Sequence, residues 1–291
     1  MTRISYLGPA GTFTEAALLA LTGAGLVPGC GHHDHRAVPA ETTPAALDAV
    51  RTGATEYACV PIENSIEGGV TPTLDGLAVG SPLQIFAETT LDVAFSIVVA
   101  PGRAPADIRT VAAHPVAGSQ VRRWLAEHLP QADVVPANSN AAAAQQVRDG
   151  EADAGVSTAL AAQQRGLATM ADGVIDEPNA RTRFVLVGAP APPPRRTGAD
   201  RTSVVLRLDN APGALAAALT EFGSRGIDLT RIESRPTRTE LGTYLFFLDA
   251  VGHIDDPAVE AALQALRGSC AEVRYLGSWP AGPCGGVEAR T

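Results

Sequence analysis

Lysine is absent from this 291-residue chain: all 22 of its Lys and Arg positions are arginine. Without a side-chain amine there is no Schiff base, which excludes ordinary pyridoxal-phosphate chemistry. A Walker A lysine is missing for the same reason, which excludes a P-loop nucleotide hydrolase. Cysteine is scarce: Cys30, Cys59, Cys270 and Cys284 share no C-x-x-C spacing and read as free thiols. No run of 18 uncharged apolar residues is present to cross a membrane. Met1 to Gly8 lacks the basic region, apolar stretch and cleavage site of a secretory signal, so the expected location is the cytoplasm. A net charge of −9 with no basic block speaks against nucleic acid. An anionic substrate would have to be held by local donors against that overall field.

What is present divides in two. From residue 1 to 188, strands alternate with helices: Ile4–Leu7, a turn at Gly8 to Gly11, then a helix capped by Thr12 or Thr14. A helix over Thr43–Arg51 and a strand over Tyr57–Ile62 follow, and then the polar cluster Glu63-Asn64-Ser65. Leu83 to Val99 reads as strand interrupted at Glu88 to Asp92, and Ser119 to His128 as one helix. Asn138-Ser139-Asn140 and Ser157 stand as caps of two later helices. This order predicts a mostly parallel sheet, and the spacing fits two lobes around a cleft. Residues 189–201 form a proline-rich linker. Residues 202–280 then read β-α-β-β-α-β, the ferredoxin-like order, and 281–291 form a glycine-rich tail.

The sharpest local feature is Asn179-Ala180-Arg181-Thr182-Arg183-Phe184, two guanidinium groups and a hydroxyl at the mouth of an apolar strand. Arginine offers a fixed fork of donors suited to carboxylates, and α/β proteins gather ligands at strand ends. Alone, the stretch reads more simply as a solvated basic turn. The Cys30, His32, His33, Asp34, His35 group reads as a solvated loop, because adjacent residues in a glycine-rich loop rarely converge on one ion. No metal or organic cofactor is expected.

Three ordered stretches resemble prephenate dehydratases: Tyr6 to Phe13, Val60 to Gly68, and Thr182-Arg183-Phe184. The C-terminal module is similar to that family's ACT domain through Pro212-Gly213-Ala214-Leu215 and Glu233-Ser234-Arg235-Pro236. The resemblance implies a two-lobed, periplasmic-binding-protein-like α/β unit with prephenate in the cleft. It makes Thr182 the catalytic threonine, with Arg183 as a catalytic, substrate-binding arginine. Glu63, Asn64, Ser65, Gly11, Thr12, Ser119, Gln120 and Phe184 are the further substrate contacts it implies. The family's His-Pro-Gln segment departs here to His114-Pro115-Val116, and its Ser-Thr dipeptide to Ser139-Asn140. L-Phenylalanine is the implied effector, bound between ACT domains at Gly213, Ala214, Leu215, Glu233, Ser234 and Arg235. That arrangement implies a homodimer or homotetramer. No chorismate mutase segment is expected ahead of the first strand. Arogenate as substrate, a non-aromatising prephenate decarboxylase, or a sensor without turnover stay open at this point.

Overall fold

The computed structural model describes residues 1–31, 34–177, 180–238 and 242–282; Asn179, His32, His33 and Cys284 lie outside them. The chain begins β1 (Thr2–Leu7), α1 (Phe13–Gly23), β2 (His35–Ala40), α2 (Thr43–Arg51), β3 (Tyr57–Asn64), β4 (Gly68–Gly69), α3 (Thr71–Ala78) and β5 (Gln84–Asp92). It crosses to a second lobe of β6 (Phe95–Val99), β7 (Thr110–Ala113), α4 (Pro115–Gln120), α5 (Arg122–His128), β8 (Asp133–Pro136), α6 (Asn140–Arg148), β9 (Ala154–Ser157), α7 (Ala159–Arg165) and β10 (Ala168–Val174). β11 (Arg181–Gly188) then returns to the first lobe.

The first sheet runs β2-β1-β3-β11-β5, with β4 on β3, and the second runs β10-β6-β9-β7-β8. Both are mixed. β1 pairs in parallel with β2 and β3, but β11 pairs antiparallel with β3 and β5 because it enters from the other lobe. In the second sheet β6 is antiparallel to β9 and β10, while β7 is parallel to β8 and β9. The mostly parallel expectation is corrected by these returns. The two crossing segments are tied together where Val93 N–H donates to Ala180 O at 2.7 Å.

Local chemistry explains the helix starts. Thr12, Thr42, Ser139 and Thr158 each accept a backbone N–H of the first turn through the side-chain oxygen. Thr158, not Ser157, caps α7; Ser157 instead donates to Asn140 O at 2.6 Å. The expected single helix over Ser119 to His128 breaks at Val121, which leaves the helical region with φ −124°. β5 continues through Glu88 to Asp92 without interruption. Glu88 tolerates burial because Arg201 donates to both its oxygens at 2.8 Å.

The C-terminal module comprises β12 (Asp200–Arg207), α8 (Ala214–Gly223), β13 (Leu229–Pro236), β14 (Tyr244–Val251), α9 (Pro257–Ser269) and β15 (Glu272–Pro280). Its sheet order β13-β14-β12-β15 is ferredoxin-like. One face carries α8 and α9 over Val204, Leu206, Leu248 and Ala250. The other face presses Val205, Phe247, Leu276 and Trp279 into the rear of the first sheet, against Ile62, Leu74, Ile85 and Val185. At roughly 1.5–3 kcal/mol per fully buried large apolar side chain, that contact docks the module firmly. The proline-rich segment has no helix or strand but is pinned. Ala191 N–H donates to Gln84 Oε1 at 3.3 Å, His253 Nε2 meets Pro194 O at 3.0 Å, and Arg196 pairs with Asp256 at 2.6 Å.

β15 passes so close to β5 that a Cβ on Gly277 would overlap the carbonyl oxygen of Ile85, and Gly277 also has φ +135°. Gly277→Ala is therefore expected to destabilise the protein by about 2–4 kcal/mol, from overpacking plus backbone strain. Thermal unfolding checks this; an unchanged melting temperature would show that the two strands separate without cost.

Candidate active site

Successive residues of a strand face opposite sides of its sheet, and β11 divides the Arg-Thr-Arg stretch accordingly. Thr182, Phe184 and Leu186 point forward, towards α1 and the second lobe, while Arg183, Val185 and Val187 point to the rear. Thr182 lies opposite Asn64 on β3 and Leu91 on β5, at the end of the strand nearest the crossing between lobes.

Asn64 Oδ1 accepts from the backbone N–H groups of Ile66 (2.8 Å) and Glu67 (3.1 Å), which fixes the amide's orientation. Its Nδ2 then has to donate to Thr182 Oγ1, at 2.9 Å. With the oxygen already accepting, the Thr182 hydroxyl has its own proton to give, and among the described residues no protein acceptor takes it. It faces a cleft of about 270 Å³ between the lobes. Phe13 and Phe95, packed edge to face at 5.8 Å, supply an apolar wall. His114, Val116 and Gln120 come from α4 and its cap, and Asn140 opens α6. Gln120 Oε1 and Asn140 Oδ1 are buried without a hydrogen-bond partner. Such groups are costly unless something in the cleft satisfies them. Because amide oxygen and nitrogen exchange by a flip, each side chain can present an acceptor or a donor.

The cleft thus gathers Asn64, Thr182 and Gln120 from the expected residues, together with His114, Asn140, Phe13, Phe95 and Glu67, which were not expected to contact substrate. Other expected contacts lie elsewhere. Gly11 N–H donates to Glu15 Oε2 at 2.6 Å and Gly11 O accepts from Thr158 Oγ1 at 2.6 Å, so this turn is a brace between lobes. Thr12 caps α1 and donates to Leu7 O at 3.2 Å. Ser119 is exposed and donates to Val116 O at 2.8 Å. Phe184 is core, packed with Tyr6 and Phe86. Ser65 bonds the backbone of Arg181 in both directions and, with Glu63, lines a rear cavity between sheet and module.

Arg183 lies outside the cleft, on the rear of the sheet. Its Nη2 donates to Asp249 Oδ2 at 2.6 Å, Nη1 reaches Glu88 at 3.4 Å and Nε stands 3.3 Å from Glu63. Burial works against the guanidinium charge, yet these three carboxylates outweigh it and hold the proton more tightly than usual. Burial likewise opposes ionisation of Asp249, and Arg183 and Arg231 more than offset it, holding that carboxyl below its ordinary range. No arginine stands among the described residues that line the cleft. Nor do the described residues bring three His, Cys, Asp or Glu side chains together as metal ligands.

In the module, Gly213 caps α8 at φ +82°, and Ala214 and Leu215 line a small hollow of about 160 Å³ with Asp209, Asn210, Tyr244 and Phe246. Ser234 lies across from Phe246 on the neighbouring strand. Arg235 turns away to pair with Asp75 at 3.2 Å, and the Glu233 carboxylate packs towards Gly69.

Residues 4–192 match the family described as Prephenate dehydratase, and residues 202–268 match the ACT domain. The chain is 69% identical over 288 residues to a curated prephenate dehydratase of Mycobacterium bovis, covering 99% of this chain and 90% of that one. The solved prephenate dehydratase of Arthrobacter aurescens, in complex with L-Phe, superposes with a TM-score of 0.86 at 44% identity over 96% of this chain and 90% of that one. A structure described as a novel type of quorum quenching acylase superposes at 0.83 with 31% identity, over 97% and 98%. No helix among the described residues is long and apolar enough to cross a membrane. With both modules matched in order and the relative nearly full-length, the chain belongs to the prephenate dehydratase family and carries an ACT domain.

Proposed function

We propose that the cleft converts prephenate to phenylpyruvate, with Thr182 as the donor that assists the departing hydroxyl. The observation carrying this reading is the bond from Asn64 Nδ2 to Thr182 Oγ1, which leaves the Thr182 O–H directed at the cleft. Prephenate carries two carboxylates and a ring hydroxyl. Breaking the bond to the ring carboxylate releases CO2, and its electron pair enters the ring as the C–O bond breaks. The departing oxygen takes up a proton from solvent and leaves as water. The product ring is aromatic, so no electron sink is required. What the protein must supply is position and a donor where negative charge develops. A threonine hydroxyl is a weak acid, so Thr182 serves by hydrogen bonding, strengthened by the amide donating to its oxygen.

Phe13 and Phe95 suit the ring, and Gln120, Asn140 and His114 suit the carboxylates. None of these is a fixed cation, so substrate is held by directed hydrogen bonds. The acylase likeness shows that this fold also carries another chemistry; the Asn64–Thr182 pair and the 69% identity favour the lyase. Arogenate differs from prephenate by an amine in place of the keto oxygen, and competing it against prephenate ranks the two.

The module hollow at Gly213, Ala214 and Leu215 suits L-phenylalanine: Tyr244 and Phe246 offer aromatic wall, and Asp209 and Asn210 offer polar contacts. Ile232 on the sheet-edge strand β13 is half exposed, a surface that a second copy would cover in a homodimer or homotetramer.

Thr182→Ala is expected to lower kcat for phenylpyruvate formation at least ~100-fold with an unchanged melting temperature, whereas Thr182→Ser retains most turnover. Near-normal turnover in Thr182→Ala would overturn the assignment. Asn210→Ala is expected to raise the half-inhibitory phenylalanine concentration about 10-fold, the size of one lost buried hydrogen bond. An unshifted inhibition curve would put the effector elsewhere.

A further inference from the structure

Both members of the cleft pair have a charged neighbour in the chain that points the other way. Thr182 precedes Arg183 on β11, and Asn64 follows Glu63 on β3. Behind the sheet these two neighbours meet, with Arg183 Nε 3.3 Å from Glu63. The remaining guanidinium nitrogens are held by Glu88 of β5 and by Asp249 of β14. One guanidinium therefore ties β11 to both of its flanking strands and to the C-terminal module. It does so at Arg183–Phe184, where the register between β11 and β3 shifts. The extra residue there is Ile62 of β3, and such a bulge re-aims the side chains of its strand. Glu63 turns to the rear and Asn64 to the cleft, so the meeting of Asn64 with Thr182 depends on how the Glu63–Arg183 pair behind it is held.

We propose that Asp249, a residue of the ACT domain, is a positioning residue for the lyase reaction, acting through Arg183 on Thr182. The proposal rests on the role given to Thr182 above. Asp249 contributes the shortest of the three contacts and is 1% exposed, so its carboxylate is shielded from water. Arg231 of β13 stands 4.0 Å from Asp249 and 3.8 Å from Glu63, and its Nη1 and Nη2 have no hydrogen-bond partner. A rear cavity of about 630 Å³, lined by Glu63, Thr90, Arg183 and Arg231 among others, leaves room there for the fork to shift. β14 also carries Tyr244 and Phe246 of the module hollow, with Asp249 three residues further along the same strand. At about 3.3 Å per residue, the hollow and the fork are some 10 Å apart on one rigid element. The module thus takes part in building the active site and does not only report on it.

The test uses the full chain and a double-mutant cycle. Asp249→Asn is nearly isosteric, and we expect it to lower kcat about 10-fold to 100-fold with KM within about 2-fold, as for a small misplacement of a reacting group. In the Thr182→Ala background the same change is expected to have no further effect on the residual rate, which a general loss of structure would not reproduce. Asp249→Glu keeps the charge but moves the carboxylate by one methylene. It is expected to lower kcat several-fold, and it decides the matter if Asp249→Asn does not fold. Wild-type kcat in whichever of the two folds, or an equal effect of Asp249→Asn with and without Thr182, overturns the proposal. Failure of the Thr182 reading is distinct: Thr182→Ala would then retain turnover whatever Asp249 does.

Discussion

The antiparallel pairing of β11 with β3 is the constraint on which the rest of the structure depends. β11 returns from the second lobe, fills the gap between β3 and β5, and so closes the first sheet. Its alternation assigns each residue of the Arg-Thr-Arg stretch to a face. The hydroxyl goes to the cleft, and Arg183 goes to the seam with the ACT domain. Register does the remaining work, because Asn64 falls directly opposite Thr182. A slip of one residue would place the guanidinium in the cleft and the hydroxyl in the seam.

The seam shows how apolar and ionic contacts divide their tasks. Val205, Phe247, Leu276 and Trp279 supply the driving force for docking. The buried ions add little net stability, since removing charges from water costs about as much as their attraction returns. They contribute direction. Glu88, Arg201, Arg183 and Asp249 are paired in one arrangement of sheet and module, and rotation between them would strand a buried charge. Arginine suits the task because its charge does not titrate and its fork contacts several partners at once.

Much of this was legible in the sequence. The alternation of elements, the linker and the ferredoxin-like order followed from hydrophobic period and turn residues, and Thr182, Asn64 and Gln120 do meet in one cleft. Three kinds of feature were not legible, each for a physical reason. Glu88 breaks an apolar run on paper, but its partner Arg201 is 113 residues away, and sequence does not show a satisfied buried charge. Arg183 was read by its chemistry and not by its parity; extending the strand back to Arg181 would have separated it from Thr182 at once. His114 and Asn140 come from helix starts in the second lobe, and only the closing of the two lobes brings them within reach of β3 and β11.

The bond from Val93 N–H to Ala180 O ties the two crossing segments together two residues before Thr182. A second tie, from Thr158 Oγ1 to Gly11 O, joins the lobes elsewhere, so neither contact alone serves as a pivot. Gln120, Asn140 and His114 belong to one wall of the cleft, and Thr182 and Asn64 to the other. Two clasps thus set the gauge of the cleft before any ligand enters it.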